Sequence, residues 1–266
     1  MIHLGVTQWC LDRTGVDAVY RAAELGLSAI QIDAGEPGVA PLLNESAVRR
    51  AYQRAAQEAG VRITALAVNL LNIYGMTNPA GSEKFNRCWD AIVIALDAAA
   101  DMDVELVYLP SFNDGEIRGQ ADLARTAEVL QRACRHVEDT KVLVATENTL
   151  GPAETLLLIE AVAHPKLRVL IDSLNPVLWG HRPSELVHRL WPYMCNQVHA
   201  KDGTGGVMGN ALLNTGQANF AETVSTLQLQ GFSGYVILEN EYPNDFQASI
   251  ARDMATIRRL FDAQEG

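Results

Sequence analysis

Eight short apolar runs, each followed by a longer amphipathic stretch, set the strongest limit on how this chain can fold. The runs are Ile2–Val6, Ser28–Ile32, Arg62–Val68, Val104–Leu109, Lys141–Thr146, Arg168–Ile171, Asn196–His199 and Tyr235–Leu238. They are continuous and rich in β-branched residues rather than alternating, as strands covered on both faces are. The stretches between them carry the helical period. Val16, Val19, Tyr20 and Ala23 follow i, i+3, i+4, i+7, with Thr14 as the expected N-cap and Asp17 three residues on. Phe85, Cys88, Trp89, Ile92 and Leu96 repeat the pattern after Ser82, and Phe246, Ile250, Met254, Ile257 and Leu260 repeat it at the C-terminus. Further helices are expected near 44–60, 118–138, 151–163, 183–193 and 217–230.

Eight strands and eight helices in strict alternation suit few architectures. The closed (β/α)8 barrel accommodates them in ~250 residues. An open doubly wound sheet would carry a Gly-rich phosphate turn after an early strand. The first run is followed instead by Thr7-Gln-Trp-Cys-Leu-Asp-Arg13. No Pro/Gly/Ser-rich linker divides the chain, so one domain over residues 1–266 is expected.

Composition narrows the partners. Apolar residues make up 48% of the chain, as in folded globular proteins, and the net charge is −11. An acidic chain repels phosphate backbones, which argues against nucleic acid. Cys10, Cys88, Cys134 and Cys195 are widely spaced and form no C-x-x-C pair. Isolated thiols of this kind suit a reducing compartment, so a cytoplasmic protein is expected. Met-Ile-His-Leu-Gly at the start has no secretory character, and no segment approaches the ~18 apolar residues that span a membrane.

Four metal-ligand types close the last four strands: Glu147, Asp172, His199 and Glu239, spaced by 25, 27 and 40 residues. In a barrel those strands are neighbours, and their carboxyl ends form one arc of the mouth where chemistry sits. Three carboxylates and an imidazole suit Mn²⁺, Mg²⁺, Co²⁺ or Zn²⁺. Singly, each is an ordinary polar residue at a strand end; together they point to a metal site. Side chains at i and i+2 share a face, so Lys201 is expected to follow His199 into the mouth, to hold a substrate oxygen or to pair with the acidic rim. Glu241 shares parity with Glu239 and rivals it as a ligand. Gln8, Trp9, Asp33, Asn69, Tyr74 and Ser111 fall near strand ends in the first half and are expected to line a pocket. Trp9 suits stacking on a sugar ring, or simple packing. His181 and Arg182 follow strand six, within reach of a substrate or on the surface.

At these residues the chain resembles the xylose isomerase-like barrel superfamily, in its sugar phosphate isomerase/epimerase branch. The motifs are Thr146-Glu147-Asn148 after strand five, Asp172-Ser-Leu-Asn175 after strand six, His199-Ala-Lys201-Asp202 after strand seven and Leu238-Glu239-Asn240 ending strand eight. Leu213-Asn-Thr-Gly216-Gln-Ala-Asn219 matches a further Gly-rich segment in part. The sharp motifs cover the second half of the chain.

The resemblance implies proton chemistry beside a carbonyl. In the family's ketose 3-epimerases a divalent metal, most often manganese, binds two adjacent substrate oxygens. Two glutamates matching Glu147 and Glu239 trade a proton through an enediolate. Metal ligands would be Glu147, Asp172, His199 and Glu239; substrate would meet Lys201, Asn175, Trp9, Asn69 and His181. The expected partner is a small sugar or keto-sugar, and relatives often form dimers or tetramers. Dehydratases and lyases acting on inososes or 3-oxo glycosides use the same metal step. The scaffold's AP endonucleases carry extra histidines; this chain has only six, and Asn175 stands where those enzymes carry one. A non-catalytic sugar-binding or partner subunit is a third reading, against which the intact quartet argues.

Overall fold

A computed structural model describes residues 1–35, 42–242 and 245–263. The strands are β1 (Ile2–Thr7), β2 (Ala29–Asp33), β3 (Arg62–Ala67), β4 (Leu106–Ser111), β5 (Leu143–Asn148), β6 (Leu167–Asp172), β7 (Met194–Ala200) and β8 (Gly234–Leu238). All neighbouring pairs are parallel, and β8 pairs back onto β1 to close a (β/α)8 barrel in chain order. The helices are α1 (Asp17–Glu24), α2 (Ser46–Ala59), α3 (Glu83–Met102), α4 (Gln120–His136), α5 (Pro152–Val162), α6 (Asn175–Leu178), α7 (Pro183–Leu190), α8 (Phe220–Leu229) and α9 (Phe246–Asp262). None among the described residues is long and apolar enough to cross a membrane.

Three expectations need correction. The alternation is not strict, because α6 forms directly after β6. Asp172 Oδ1 accepts the backbone N–H groups of Leu174 and Asn175, which turns the chain into that one-turn helix. Thr14 does not cap α1: Gly15 turns the chain at φ 58°, and Val16 is already helical when the helix begins. Ser82 does cap α3, accepting from Phe85 N at 3.2 Å. Finally, β4 and β5 each run two residues further than expected. Pro110 fits inside β4 because the end of that strand pairs only with β5, so the missing N–H interrupts no ladder to β3.

The strands bury both faces, which is why they read as unbroken apolar runs. Their outer faces and the helices share a large core that includes Val6, Ile30, Leu66, Val107 and Val144. A second, smaller cluster fills the barrel interior: Ala65, Ala67, Leu106, Tyr108, Ala145, Leu170 and Cys195. Two register irregularities break the staves. β3 carries one extra residue, Thr64, between the partners of Ile30 and Gln31. β7 is irregular between Met194 and Val198, where it passes β6. Such bulges re-aim side chains and backbone groups near functional sites.

Candidate active site

The four ligand-type residues meet at the carboxyl end of the barrel. Glu147, Asp172 and His199 lie within β5, β6 and β7, and Glu239 stands one residue past β8. One ligand atom from each falls within 4.8 Å of all the others. His199 Nδ1 is 3.0 Å from Glu239 Oε2, 3.6 Å from Glu147 Oε1 and 4.0 Å from Asp172 Oδ2. Asp172 Oδ2, His199 Nδ1 and Glu239 Oε2 are buried and face only charged groups of the cluster itself and the Lys201 ammonium. Three such atoms turned towards one point, with the Glu147 carboxylate beside them, form a donor set that fits a divalent cation. Glu241 is exposed and stands outside the cluster.

Lys201 follows His199 into the mouth, as parity requires. Its Nζ lies 2.7 Å from Glu239 Oε2 and 3.5 Å from Asp172 Oδ2, and donates to Asn175 Oδ1 at 3.3 Å. Asn175 in turn donates from Nδ2 to Glu147 Oε1 at 3.1 Å, bridging Glu147 to Lys201. Trp9, on the short turn after β1, donates its indole N–H to Glu239 Oε1 at 3.2 Å and leaves 39% of its surface exposed at the rim.

The charges of the cluster act on one another. Burial disfavours charge on His199, but the carboxylates of Glu239 and Glu147 outweigh it and lift the imidazolium pKa to about 10. Burial likewise works against the Lys201 ammonium, and Asp172 and Glu239 more than compensate, so its pKa is raised. Asp172 is pushed up to about 6, by burial first and with Lys201 opposing. Glu239 goes the other way: burial would raise it, but Lys201 and His199 hold it well below the usual range. The cluster thus keeps a carboxylate ionised beside two cations.

Asn69 opens the turn that follows β3, half-buried, and makes no hydrogen bond to the four. His181 sits between α6 and α7 with its ring against Gly151, where a Cβ would come within 2.8 Å of Cε1. Gln8 donates to Gly15 O and Tyr52 Oη. Tyr74 lies under the Arg87 guanidinium, and Asp33 accepts from Gly35 N. Ser111 is fully buried at the end of β4.

The Gly-rich segment has a clear structural partner. Asp202, fully buried, accepts backbone N–H groups from Gly203, Thr215, Gly216 and Ala218. A Cβ on Gly216 would sit 2.3 Å from Asp202 Oδ1, so the close approach requires glycine. Asp202 is therefore the anchor of the loop that leaves β7.

Two residues were not singled out from the sequence. Gln31 and Gln197 point into the barrel beneath His199, and Gln31 Oε1 lies 2.8 Å from His199 Nε2. The parity that finds Lys201 two residues after His199 also finds Gln197 two residues before it. Tyr108 packs edge-on against His199, with ring centroids 5.4 Å apart.

The chain matches the family model described as xylose isomerase-like TIM barrel over residues 19–260. A 2-epi-5-epi-valiolone 7-phosphate 2-epimerase from Actinoplanes sp. is 34% identical over 261 residues, covering 97% of this chain and 94% of the relative. The structure of an L-ribulose 3-epimerase superposes with a TM-score of 0.80 at 14% identity, covering 99% of this chain and 95% of that one. A xylose isomerase-like barrel protein from Mycobacterium smegmatis, solved in complex with magnesium, superposes with a TM-score of 0.71 at 14% identity, covering 98% and 97% of the two chains. The solved structures share the architecture, and the family model and the Actinoplanes relative share its sequence over nearly the full length: this chain belongs to the xylose isomerase-like TIM barrel family.

Proposed function

We propose that this protein is a divalent-metal-dependent epimerase or isomerase that moves a proton on the carbon beside a ketone of a polyhydroxylated, sugar-like substrate. The observation that carries the reading is the convergence of buried Asp172, His199 and Glu239 atoms on one point beside Glu147. Those four residues would hold the cation, with Mn²⁺ first by family resemblance and Mg²⁺ next. When bound, the cation supplies Lewis-acid chemistry that acidifies a C–H beside a carbonyl.

The chain's own groups do the rest. Glu147 and Glu239 end the arc of strands at either side, and a carboxylate oxygen of each serves as proton acceptor or donor. Glu239 suits the acceptor role because the Lys201 ammonium beside it keeps it ionised. Lys201 stands where its N–H groups meet a substrate oxygen, and Asn175 holds it in register with Glu147. Trp9 offers an apolar face at the rim for the carbon skeleton. The Actinoplanes relative is named for a phosphorylated substrate, which supports testing phosphorylated ketones beside free ketoses.

The test is to incubate the Mn²⁺-supplemented protein in D₂O with free ketoses, phosphorylated ketoses, inososes and 3-oxo glycosides. Deuterium should enter the carbon beside the ketone and an epimer or isomer should accumulate. Glu147→Gln and Glu239→Gln should abolish both. Variants that retain full activity would sink the two-glutamate assignment, and loss of water or of an aglycone would convert the reading to a lyase.

A further inference from the structure

The barrel interior holds a line of hydrogen bonds with a fixed direction. The backbone carbonyl of Thr64 accepts from Gln197 Nε2 at 2.8 Å. Gln197 Oε1 accepts from Gln31 Nε2 at 3.0 Å. Gln31 Oε1 then faces His199 Nε2 at 2.8 Å. Gln31, Gln197 and His199 are 0%, 2% and 1% exposed. Two primary amides in a barrel core are costly unless every polar atom is used.

The direction follows from the first member. A carbonyl oxygen can only accept, so Gln197 must turn its amino group to Thr64 and its oxygen to Gln31. Gln31 must then turn its amino group to Gln197 and its oxygen to His199. An oxygen cannot donate, so His199 must carry hydrogen on Nε2. Reversing either amide would set two oxygens face to face within 3.0 Å. The origin lies in the bulge: Thr64 is the extra residue of β3, skipped by the register with β2. Gln197 sits in the matching irregularity of β7.

We propose that Gln31 and Gln197 are positioning residues of the metal centre: anchored on the Thr64 carbonyl, they hold the hydrogen of His199 on Nε2 and present Nδ1 to the cluster as the ligand atom. This rests on the metal reading above and adds the residues that orient its only imidazole. Nε2 keeps its hydrogen whether or not a metal is present, so the arrangement is made before the ion arrives. A ring free to exchange tautomers would offer a hydrogen to the cation in part of the population.

The experiment uses protein labelled with ¹⁵N-histidine, read by long-range ¹H–¹⁵N spectra with and without Mg²⁺, and Mg²⁺ affinity by calorimetry. The native protein should show one histidine with a slowly exchanging Nε2–H in both states. Gln31→Met should lose that signal and bind Mg²⁺ about 10- to 100-fold more weakly, the usual range for such partners. Gln31→Glu should keep the Nε2–H signal, because either oxygen of its carboxyl accepts from His199. Gln197→Met touches no ligand and should weaken binding in the same direction; it also serves if Gln31→Met does not fold. Retained affinity together with a retained Nε2–H signal in Gln31→Met would overturn the proposal. If the native protein takes up neither Mg²⁺ nor Mn²⁺, the metal reading falls, and the Nε2–H signal alone then upholds or overturns the positioning of His199.

Discussion

The indole N–H of Trp9 donates to Glu239 Oε1 over 3.2 Å, while Oε2 of the same carboxylate faces His199 and Lys201. One rim residue therefore sets the rotation of a group assigned to proton transfer. Trp9→Phe keeps an aromatic ring and removes the donor. A hydrogen bond to a charged group contributes roughly 1.5–3 kcal/mol, so proton exchange should slow by about 10-fold or more. Bound metal per chain should not change. Deuterium exchange rates with metal analysis on the same samples check this; an unaltered rate would remove Trp9 from the machinery.

Metal uptake should be coupled to proton release. In the metal-free protein His199 holds a proton up to about pH 10: burial opposes the charge, and Glu239 and Glu147 overcome it. A cation arriving at Nδ1 must displace that proton, so apparent affinity should rise with pH by up to about tenfold per unit. Asp172, raised to about 6 chiefly by burial, adds a second competing proton below that pH. Mn²⁺ titrations at pH 6, 7 and 8, in buffers of different ionisation enthalpy, measure the protons released. Affinity independent of pH would contradict the assignment of Nδ1 as a ligand.

Asp202 should matter more for the loop than for the metal. Asp202→Ala leaves the amides of Gly203, Thr215, Gly216 and Ala218 without their acceptor. Lost charge-assisted bonds of this kind cost about 1.5–3 kcal/mol each where buried. The expected outcome is early protease cleavage between residues 203 and 218 and a lower melting temperature, with Mg²⁺ affinity close to native. A native cleavage pattern would show that the loop is held elsewhere.

Asp114 ties two loops of the mouth together, accepting from Gly75 N, Asn78 Nδ2 and Lys84 Nζ. Burial raises its pKa, but Lys84 and Asn78 outweigh that and leave it below the ordinary 3.8. A depressed carboxylate stabilises above the unfolded pKa and loses that contribution as pH falls through the folded one. Asp114→Asn should therefore cost about 1–2 kcal/mol at pH 7 and progressively less below pH 4. Urea unfolding of both proteins at pH 7 and pH 3 gives the difference directly, and a gap that does not shrink would assign the loss to shape rather than charge.

The strand count was legible because a stave buried on both faces must be apolar throughout, and Val6, Ile30 or Val144 cannot be anything else. The quartet was legible because a barrel brings every strand's carboxyl end to one rim, so equal position in the repeat means proximity in space. Lys201 followed from parity alone. Gln197 shares the parity that finds Lys201, but its link through Gln31 to the Thr64 carbonyl is hidden, because a bulge is a property of two paired strands and leaves no mark in the composition of either; without the shift at Thr64 the amides have no anchor. The short helix α6 was hidden for a similar reason, since Asp172 folds it with one carboxylate oxygen while offering the other to the cluster. The placement of Asn69 and His181 depends on loop paths that no residue pattern encodes.

The side chains of the cluster differ in exposure: His199 0%, Asp172 1%, Glu147 6% and Glu239 11%. That gradient gives the two glutamates unequal access to bulk water. A proton resting on Glu239 lies nearer the exit and can be lost to solvent, whereas one resting on Glu147 stays closer to the carbon it came from. The forward and reverse reactions of such an enzyme would therefore carry different isotopic memories, one remembering the hydrogen of its substrate and the other that of the surrounding water.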